Sequence, residues 1–590
     1  MRLRRRRIGV YICHCGSNIA GTVDVKDVRA YAESLPNVII ARDYPYLCSE
    51  QGQELIKNDI LDLKLDAVVV AACSPRMHEH TFRRAIRDAG MNPYCMEMAN
   101  IREQCSWVHT KGATAKAKEI VRSAVFRVAL LEPLEEKEVS VLPSALVLGG
   151  GIAGIQAALD IANAGFKVYL VEKEPSIGGH MAQLDKTFPT LDCAACILTP
   201  KMSEIEHHEN IELLTYSEVE SVEGFVGNFK VRVRRKARFV DEEKCTGCGL
   251  CAEACRLSGK IPDEFNAGMR KRSAIYIPFP QAVPSVYVID ADNCLMITKG
   301  KCGKSPRCVE VCPTDAIDFS QKDEIIEISV GTIVVATGFD LYDPSLDEKY
   351  GYEYDEVITS LEFERMMNAS GPTGGKIIVN GREPKRVVFI SCVGSRSEER
   401  PYCSRICCMY IMKQAHLIKE KIPDAKITVL YTDVRAFGKG YEEFYQRVRA
   451  EGVNYVRREL DEPIEVFREG ENGVVVRAVC EGVATELRAD LVVLATAVIP
   501  RGDAARLARM LKLGRKSSGF FLEAHPKLRP VETLTEGIFI AGCCQSPKDI
   551  QDTVAQASAA ASAALKLLFA GKCGIEATTA VLDERKCISC

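Results

Sequence analysis

A strand, a glycine turn and a helix within residues 145–179, ALVLGGGIAGIQAALDIANAGFKVYLVEKEPSIGG, constrain this 590-residue chain more than any other stretch. The apolar run 145–148 predicts a buried parallel strand, and Gly149, Gly151 and Gly154 supply G-x-G-x-x-G at its end. The first glycine permits a tight turn, the second lets backbone approach a pyrophosphate, and the third packs helix on strand. A helix beginning near Ile152 aims its first N–H groups at that phosphate. A second strand over 167–171 ends at Glu172, placed to accept ribose hydroxyls, with Lys173 beside it. The glycines alone are a common pattern. Strand, turn, helix, strand and acid in register predict a dinucleotide site.

Gly178 and Gly179 follow the acid and offer the cofactor a second close backbone approach. This arrangement resembles the flavin domain of two-dinucleotide-binding reductases such as thioredoxin reductase. TIVVATGF at 332–339 is similar to that family's A-T-G hinge and contributes Thr337 and Gly338. GIFIAG at 537–542 is similar to its closing flavin strand and ends at Gly542. The family usually places Asp after that glycine to hold the ribityl chain, whereas Cys543 stands here. The resemblance implies FAD. Asp549 or Asp552 can cap the alanine-rich helix that follows, so that its N-terminus favours negative charge on a reduced flavin. Lys548 is the candidate catalytic side chain beside the flavin, with an exposed surface lysine as the plainer reading.

Cysteine, at 26 residues, is the compositional outlier. No apolar run long enough for the h-region of a signal peptide follows the basic run Arg4–Arg7, which predicts a solvated terminus and no secretory signal. Metal and redox sites therefore explain the thiols better than disulfides. Residues 241–319 read as an insertion into the flavin domain. Cys245, Cys248, Cys251 and Cys255 follow the C-x2-C-x2-C-x3-C spacing of a bacterial [4Fe–4S] ferredoxin, with Arg256 where that motif usually has Pro. Cys294, Cys302, Cys308 and Cys312-Pro313 form a stretched second half. By analogy, one cluster takes Cys245, Cys248, Cys251 and Cys312, and the other takes Cys255, Cys294, Cys302 and Cys308. A four-cysteine zinc ribbon is the alternative.

Residues 385–495 occupy the place of a nicotinamide domain. The strand 386–390 arrives on schedule but meets SCVGS and not a G-x-G-x-x-G turn. Cys392 at its end, with Cys403, Cys407 and Cys408, offers four thiolates around a former nucleotide cleft; Cys403 and Cys407 are expected on one helical face. This set reads as a cluster in place of NAD(P)H. Cys193-x-x-Cys196 is open between a redox dithiol, a structural pair and extra ligands. Cys480 and Cys573 carry no assigned role. Upstream, strands are expected at 8–12, 38–41 and 67–72, and a helix at 111–131, with cysteines near strand ends where α/β folds place ligands.

ICHCGSNIAG, VVAACSPRMHEHTF, NIREQCSWVH, LDCAACILTPKM, YCSRICC and CCQSPKDIQDTVAQA together resemble the iron-sulfur flavoprotein of the CoB–CoM heterodisulfide reductase family and its relatives in anaerobic electron-transfer complexes. The resemblance covers essentially the whole chain. It implies an α/β fold: a thioredoxin-reductase-like two-dinucleotide-binding flavoprotein core, an inserted ferredoxin-like (α+β) domain and an N-terminal α/β cluster domain. Boundaries are expected at 1–135 (N-terminal domain), 140–240, 320–384 and 496–575 (FAD-binding domain), 241–319 (ferredoxin insertion) and 385–495 (nicotinamide-domain-like region). Residues 576–590, with Cys587 and Cys590, look like the opening of an incomplete C-terminal ferredoxin. The N-terminal cluster is assigned to Cys13, Cys48, Cys73 and Cys105, with Cys15 the alternate. About four [4Fe–4S] clusters are thus expected in the chain, two of them in the insertion.

The implied partners are other heterodisulfide-reductase-type subunits, a hydrogenase, formate dehydrogenase or other donor-oxidising module, and ferredoxin. A homodimer inside a larger complex is expected. The net charge of −3 argues against a nucleic-acid footprint. The absence of about 18 uninterrupted apolar residues predicts no membrane span and a cytoplasmic location. The function expected is electron bifurcation or confurcation at the flavin. An NAD(P)H-dependent dithiol reductase using Cys193 and Cys196, or a protein that only relays electrons, are the alternatives.

Overall fold

A computed structural model describes residues 6–470 and 473–588. Cys590 and the first two arginines of the basic run, Arg4 and Arg5, lie outside the described residues. The chain divides into two compact units, Met1–Glu138 with Gly574–Cys590, and Val139–Cys573.

In the first unit, strands β1 (Ile8–Cys13), β2 (Val38–Tyr44), β3 (Ala67–Ala72) and β4 (Met96–Asn100) form a parallel sheet in the order β2-β1-β3-β4. Both β1 and β3 are buried along their whole length, as parallel strands covered on two faces must be. Helices α1 (Val25–Glu33), α2 (Glu50–Leu63), α3 (Pro75–Asp88) and α4 (Ala113–Val128) make the crossovers. Asp24, Ser49 and Ser74 cap the first three by accepting from N–H groups of the first turn. Gly112, at φ +72°, delays the start of α4 to Ala113. Cys13 ends β1 and Cys73 follows β3, so two of the thiols meet at the carboxyl edge of the sheet.

The second unit contains, in chain order, β5 (Ser144–Leu148), α5 (Ile152–Asn163), β6 (Lys167–Val171), α6 (Ala194–His207), β7 (Ile211–Leu214), β8 (Thr332–Val335), β9 (Val357–Thr359), β10 (Arg386–Val393), α7 (Cys407–Lys421), β11 (Lys426–Tyr431), β12 (Asn454–Arg457), β13 (Leu491–Thr496), β14 (Ile538–Ile540) and α8 (Ile550–Ala570). They build two parallel five-stranded sheets, β14-β8-β5-β6-β7 and β9-β13-β10-β11-β12. The predicted β5–α5–β6 unit forms with the expected boundaries.

The insertion hangs from a β-hairpin. Strands Asn228–Arg235 and Glu324–Val330 pair antiparallel, and Arg235 opposite Glu324 is the last pair before the chain departs. Ends already held side by side make a long excursion cheap, because loop-closure cost grows only slowly with length. The insertion then folds back on the flavin half: Ile177 N–H donates to Val283 O at 3.1 Å, and Val283 N–H donates to Ser176 Oγ at 2.9 Å.

By length and composition α8 is apolar enough to cross a membrane, although its serines and threonine interrupt the apolar run. Ala557, Ala560, Ala561 and Ala564 are fully buried in the core shared with α5, and Ser558 Oγ donates to Asp160 Oδ2 at 2.6 Å. Alanine, with no side chain beyond Cβ, lets the two helices approach closely. In the fold α8 packs one face, including Thr553 and Leu568, on the core, and a third of its apolar stretch is buried.

Candidate flavin cavity and thiol sets

Beneath the glycine turn lies a cavity of about 640 Å³, lined by Gly149, Gly151, Glu172, Lys173, Gly179, Thr337, Gly338, Cys543 and Lys548, among others. A Cβ at Gly154 would lie 1.8 Å from Gly149 O, and one at Gly149 would lie 2.5 Å from Ala336 O, so these two serve packing. A Cβ at Gly151 would meet nothing within 4 Å, and this residue faces the cavity. Gly178 N–H donates to Gly150 O at 2.7 Å and holds the second glycine loop beside the first. Gly542 N–H donates to Gln556 Oε1 at 2.9 Å, tying the closing turn to α8.

Glu172 accepts from Gly150 N–H at 2.6 Å and Glu174 N–H at 2.8 Å, while burial raises its pKa. Its carboxylate is oriented by backbone at the cavity wall. Thr337 Oγ1, Gln414 Oε1 and Asp503 Oδ1 are buried without a hydrogen-bond partner among the described residues, and all three residues line the cavity. Buried polar atoms are rarely left unpaired. FAD, with its isoalloxazine N–H, adenine amine and sugar hydroxyls, would offer donors of the kind these atoms lack, so the cavity fits the cofactor.

Lys548 is buried, not exposed. Its Nζ donates to Gly542 O at 2.6 Å, Ser546 O at 2.7 Å, Gln545 Oε1 at 3.1 Å and Ser546 Oγ at 3.4 Å. Burial lowers its pKa against the pull of Cys543 and Cys544. Those four acceptors surround the ammonium at the cavity wall, pin the turn carrying Cys543 and overturn the plainer reading of an exposed lysine. The cap of α8 is Asp549, which accepts from Asp552 N–H at 2.8 Å and from Tyr441 Oη–H at 2.5 Å.

Sequence reasoning missed the buried ion pair in this cavity. Lys413 and Glu364, with side chains 1% and 3% exposed, meet at 2.6 Å. Lys413 Nζ also donates to Lys186 O at 2.7 Å, and Glu364 accepts from Gln414 Nε2 at 2.6 Å and Asp185 N–H at 3.1 Å. The available signal was a lysine inside the apolar helical run MYIMKQAHLI.

Two walls of the cavity come from thiol-bearing segments. The ferredoxin insertion contributes Glu264, Phe265, Tyr276 and Phe279, with Phe265 and Phe279 stacked at 4.6 Å. The turn entering α7 contributes Ile406 and Tyr410. Beside Tyr410, Cys392, Cys403, Cys407 and Cys408 are electrostatic neighbours. A hydrogen bond from Cys407 and the Arg435 backbone N–H favour the thiolate on Cys408, against burial. The same Cys407–Cys408 bond, with burial, raises Cys407. Cys403 does not share a helical face with Cys407: α7 begins at Cys407, because Arg405 adopts φ +62° and breaks the helix before it. A Cβ at Gly394 would sit 2.3 Å from the Tyr342 ring. A tyrosine thus packs where a nicotinamide domain keeps its glycine turn open to pyrophosphate.

In the insertion, Cys251 neighbours Cys245 and Cys248, whereas Cys308 and Cys294 neighbour Cys255 and Cys302; Cys312 neighbours Thr314, Asp315 and Ala316. Burial, with the neighbouring thiols, pushes Cys251 up to about 12 and Cys308 up to about 11. A bound cationic centre reverses this by deprotonating its thiol ligands, so these crowded donors fit metal clusters. For Cys312, burial is outweighed by the N–H groups of Ala316 and Thr314, which lower its pKa. Arg256, in the usual proline position, is exposed, and its guanidinium occupies the space over Gly303.

In the first unit Cys13 neighbours Cys15 and Cys48, Cys48 neighbours Cys15, and Cys73 neighbours Cys13 and Cys15. Cys105 is fully buried, and its thiol donates to Ala113 O at 3.2 Å. The fold therefore gathers the alternate, Cys15, and leaves Cys105 apart, because the latter packs toward α4. Cys193 caps α6 and accepts from Cys196 N–H at 3.2 Å; among the described residues lining the flavin cavity neither appears.

A family described as FAD dependent oxidoreductase matches residues 145–241, and one described as 4Fe-4S binding domain matches residues 238–256. The chain is 55% identical over 596 residues to the A 2 iron-sulfur subunit of CoB--CoM heterodisulfide reductase from Methanopyrus kandleri, covering 99% of this chain and 89% of that one. It is 53% identical over 595 residues to the A-type subunit of H(2):CoB-CoM heterodisulfide,ferredoxin reductase from Methanothermobacter marburgensis, covering 99% and 88%. Among solved structures, thioredoxin reductase of T. acidophilum aligns with a TM-score of 0.40 at 13% identity, over 72% of this chain and 99% of that one.

Proposed function

Because the chain belongs to the family of A-type iron-sulfur subunits of heterodisulfide reductase, we propose that it performs flavin-based electron bifurcation or confurcation between a two-electron donor, ferredoxin and a disulfide-type acceptor on partner subunits. It is an oxidoreductase that carries FAD and [4Fe–4S] clusters. When bound, FAD supplies a centre that exchanges electrons in pairs or singly, and the clusters supply one-electron carriers. The observation that carries the reading is the pair of cavity walls: the two-set insertion through Phe265 and Phe279, and the Cys392–Cys408 set through Ile406 and Tyr410. A flavin with single-electron carriers on two sides has the connectivity that bifurcation requires. The packing of Tyr342 against Gly394 weighs against the NAD(P)H-dependent alternative. Lys548 positions the Cys543 turn, and Glu172 and Gly151 hold the dinucleotide. The donor-oxidising partner is proposed as a hydrogenase or formate dehydrogenase module, with the chain dimeric within the complex.

Four cubane clusters require about 16 iron atoms per flavin. Protein reconstituted without oxygen should reach that ratio, and Cys407→Ala should drop to about 12 with FAD retained. A ratio of about 8 in the parent protein would confine clusters to the insertion. Stepwise anaerobic reduction tests bifurcation itself: the flavin should bleach with no accumulating radical signal, and a stable radical would favour simple relay. In the N-terminal unit, Cys15→Ser should cost about four irons, whereas Cys105→Ala should cost none. The reverse pattern in an iron assay would restore Cys105 as a ligand.

A further inference from the structure

Arg102 contacts Cys15 of the N-terminal thiol set, and its guanidinium is almost fully committed. Nη1 donates to Cys15 Sγ at 3.2 Å, Nη2 donates to Met77 Sδ at 3.0 Å, and Nε and Nη2 donate to Glu103 Oε1 at 3.1 and 2.7 Å. The face of the group lies 4.6 Å from the Trp107 ring, and the side chain is only 11% exposed. Its charge also reaches Cys48 and Cys73. The opposing carboxylate is held through Oε1, and its Oε2 is buried without a hydrogen-bond partner among the described residues.

We propose that Arg102 and Glu103 form a charge pair that sets the reduction potential of the N-terminal cluster, with Arg102 raising it and Glu103 lowering it. This rests on the reading that Cys13, Cys15, Cys48 and Cys73 hold that cluster. One-electron reduction adds a negative charge to the four-thiolate site. A guanidinium that cannot move and cannot lose its proton stabilises that added charge more than it stabilises the oxidised state. Donation to a ligand sulfur is a recognised lever on cluster potential. Arginine suits the task because its planar fork reaches two sulfurs and a carboxylate at once, where a lysine ammonium is a single point charge.

The test is a redox titration of full-length, anaerobically reconstituted protein followed by electron paramagnetic resonance. The N-terminal signal is identified as the one that Cys15→Ser removes. Arg102→Gln should keep the iron content and shift that signal alone to lower potential, by at least a tenfold change in the reduced-to-oxidised ratio, about 59 mV for one electron. Arg102→Lys should shift it less, and Glu103→Gln should shift it upward. Should Arg102→Gln fail to assemble, Arg102→Lys and Glu103→Gln carry the test through their opposite signs. Unmoved midpoints at full iron content, or shifts of the same sign in the arginine and glutamate variants, overturn the charge-pair role. If Cys15→Ser removes no signal, the cluster reading itself fails, and with it this inference.

Discussion

Gly151→Ala should strip FAD from the protein while leaving the apoprotein as stable as before. The residue sits at φ −75° and ψ 179°, a backbone any residue adopts, and its Cβ would meet no protein atom within 4 Å. The added methyl would therefore be felt only by what fills the cavity. Overpacking of a close contact costs about 1–3 kcal/mol, which corresponds to a loss of FAD affinity of about 5- to 150-fold. Gly154→Ala should behave differently, because its Cβ would collide with Gly149 O inside the protein; it should lower the melting temperature of the apoprotein as well. Equilibrium FAD binding by fluorescence quenching, paired with a melt of the apo form, separates the two. Unchanged FAD affinity in Gly151→Ala would remove the dinucleotide from this turn.

Lys413→Met is expected to be the most damaging single change near the cavity. Lys413 and Glu364 are buried together in the cavity wall, and removing the cation leaves a buried carboxylate without its ion-pair partner. Breaking a buried pair in this way costs about 3–5 kcal/mol. Replacing both partners, as in Lys413→Met with Glu364→Gln, should recover most of that loss, because no net charge remains buried. Thermal denaturation followed by flavin release reads the effect. A single variant as stable as the parent, or a double variant no better than the single, would mean that the pair is not energetically coupled.

The buried pair also marks where sequence reading stops. Lys413 and Glu364 belong to separate segments, α7 and the helix Ser360–Met367. Neither stretch announces a partner for its charge, and only packing against Lys186, Asp185 and Gln414 completes their hydrogen bonds. Lys548 shows the same limit in reverse. Its place beside the flavin was legible from the neighbouring turn, but not that backbone carbonyls would consume its donors. The N-terminal thiols show it again. Motif position favours Cys105 with Cys15 as the alternate, and the choice between them depends on which way a side chain leaves its segment.

What the sequence determined alone was everything written in short-range spacing. Gly149 and Gly154 shape the turn locally, the first through its φ of +103° and the second because a Cβ there would strike Gly149 O. Cys245, Cys248 and Cys251 gather because a few residues of chain leave little freedom to do otherwise. What only the tertiary structure decided were relations across long separations. These include the return of the insertion through a hairpin onto the 175–179 loop, the stacked Phe265 and Phe279 in the cavity wall, and the tyrosine packed against Gly394. Spacing along the chain limits distance only while the intervening segment is short; beyond that, burial of apolar surface and pairing of buried charge choose the neighbours.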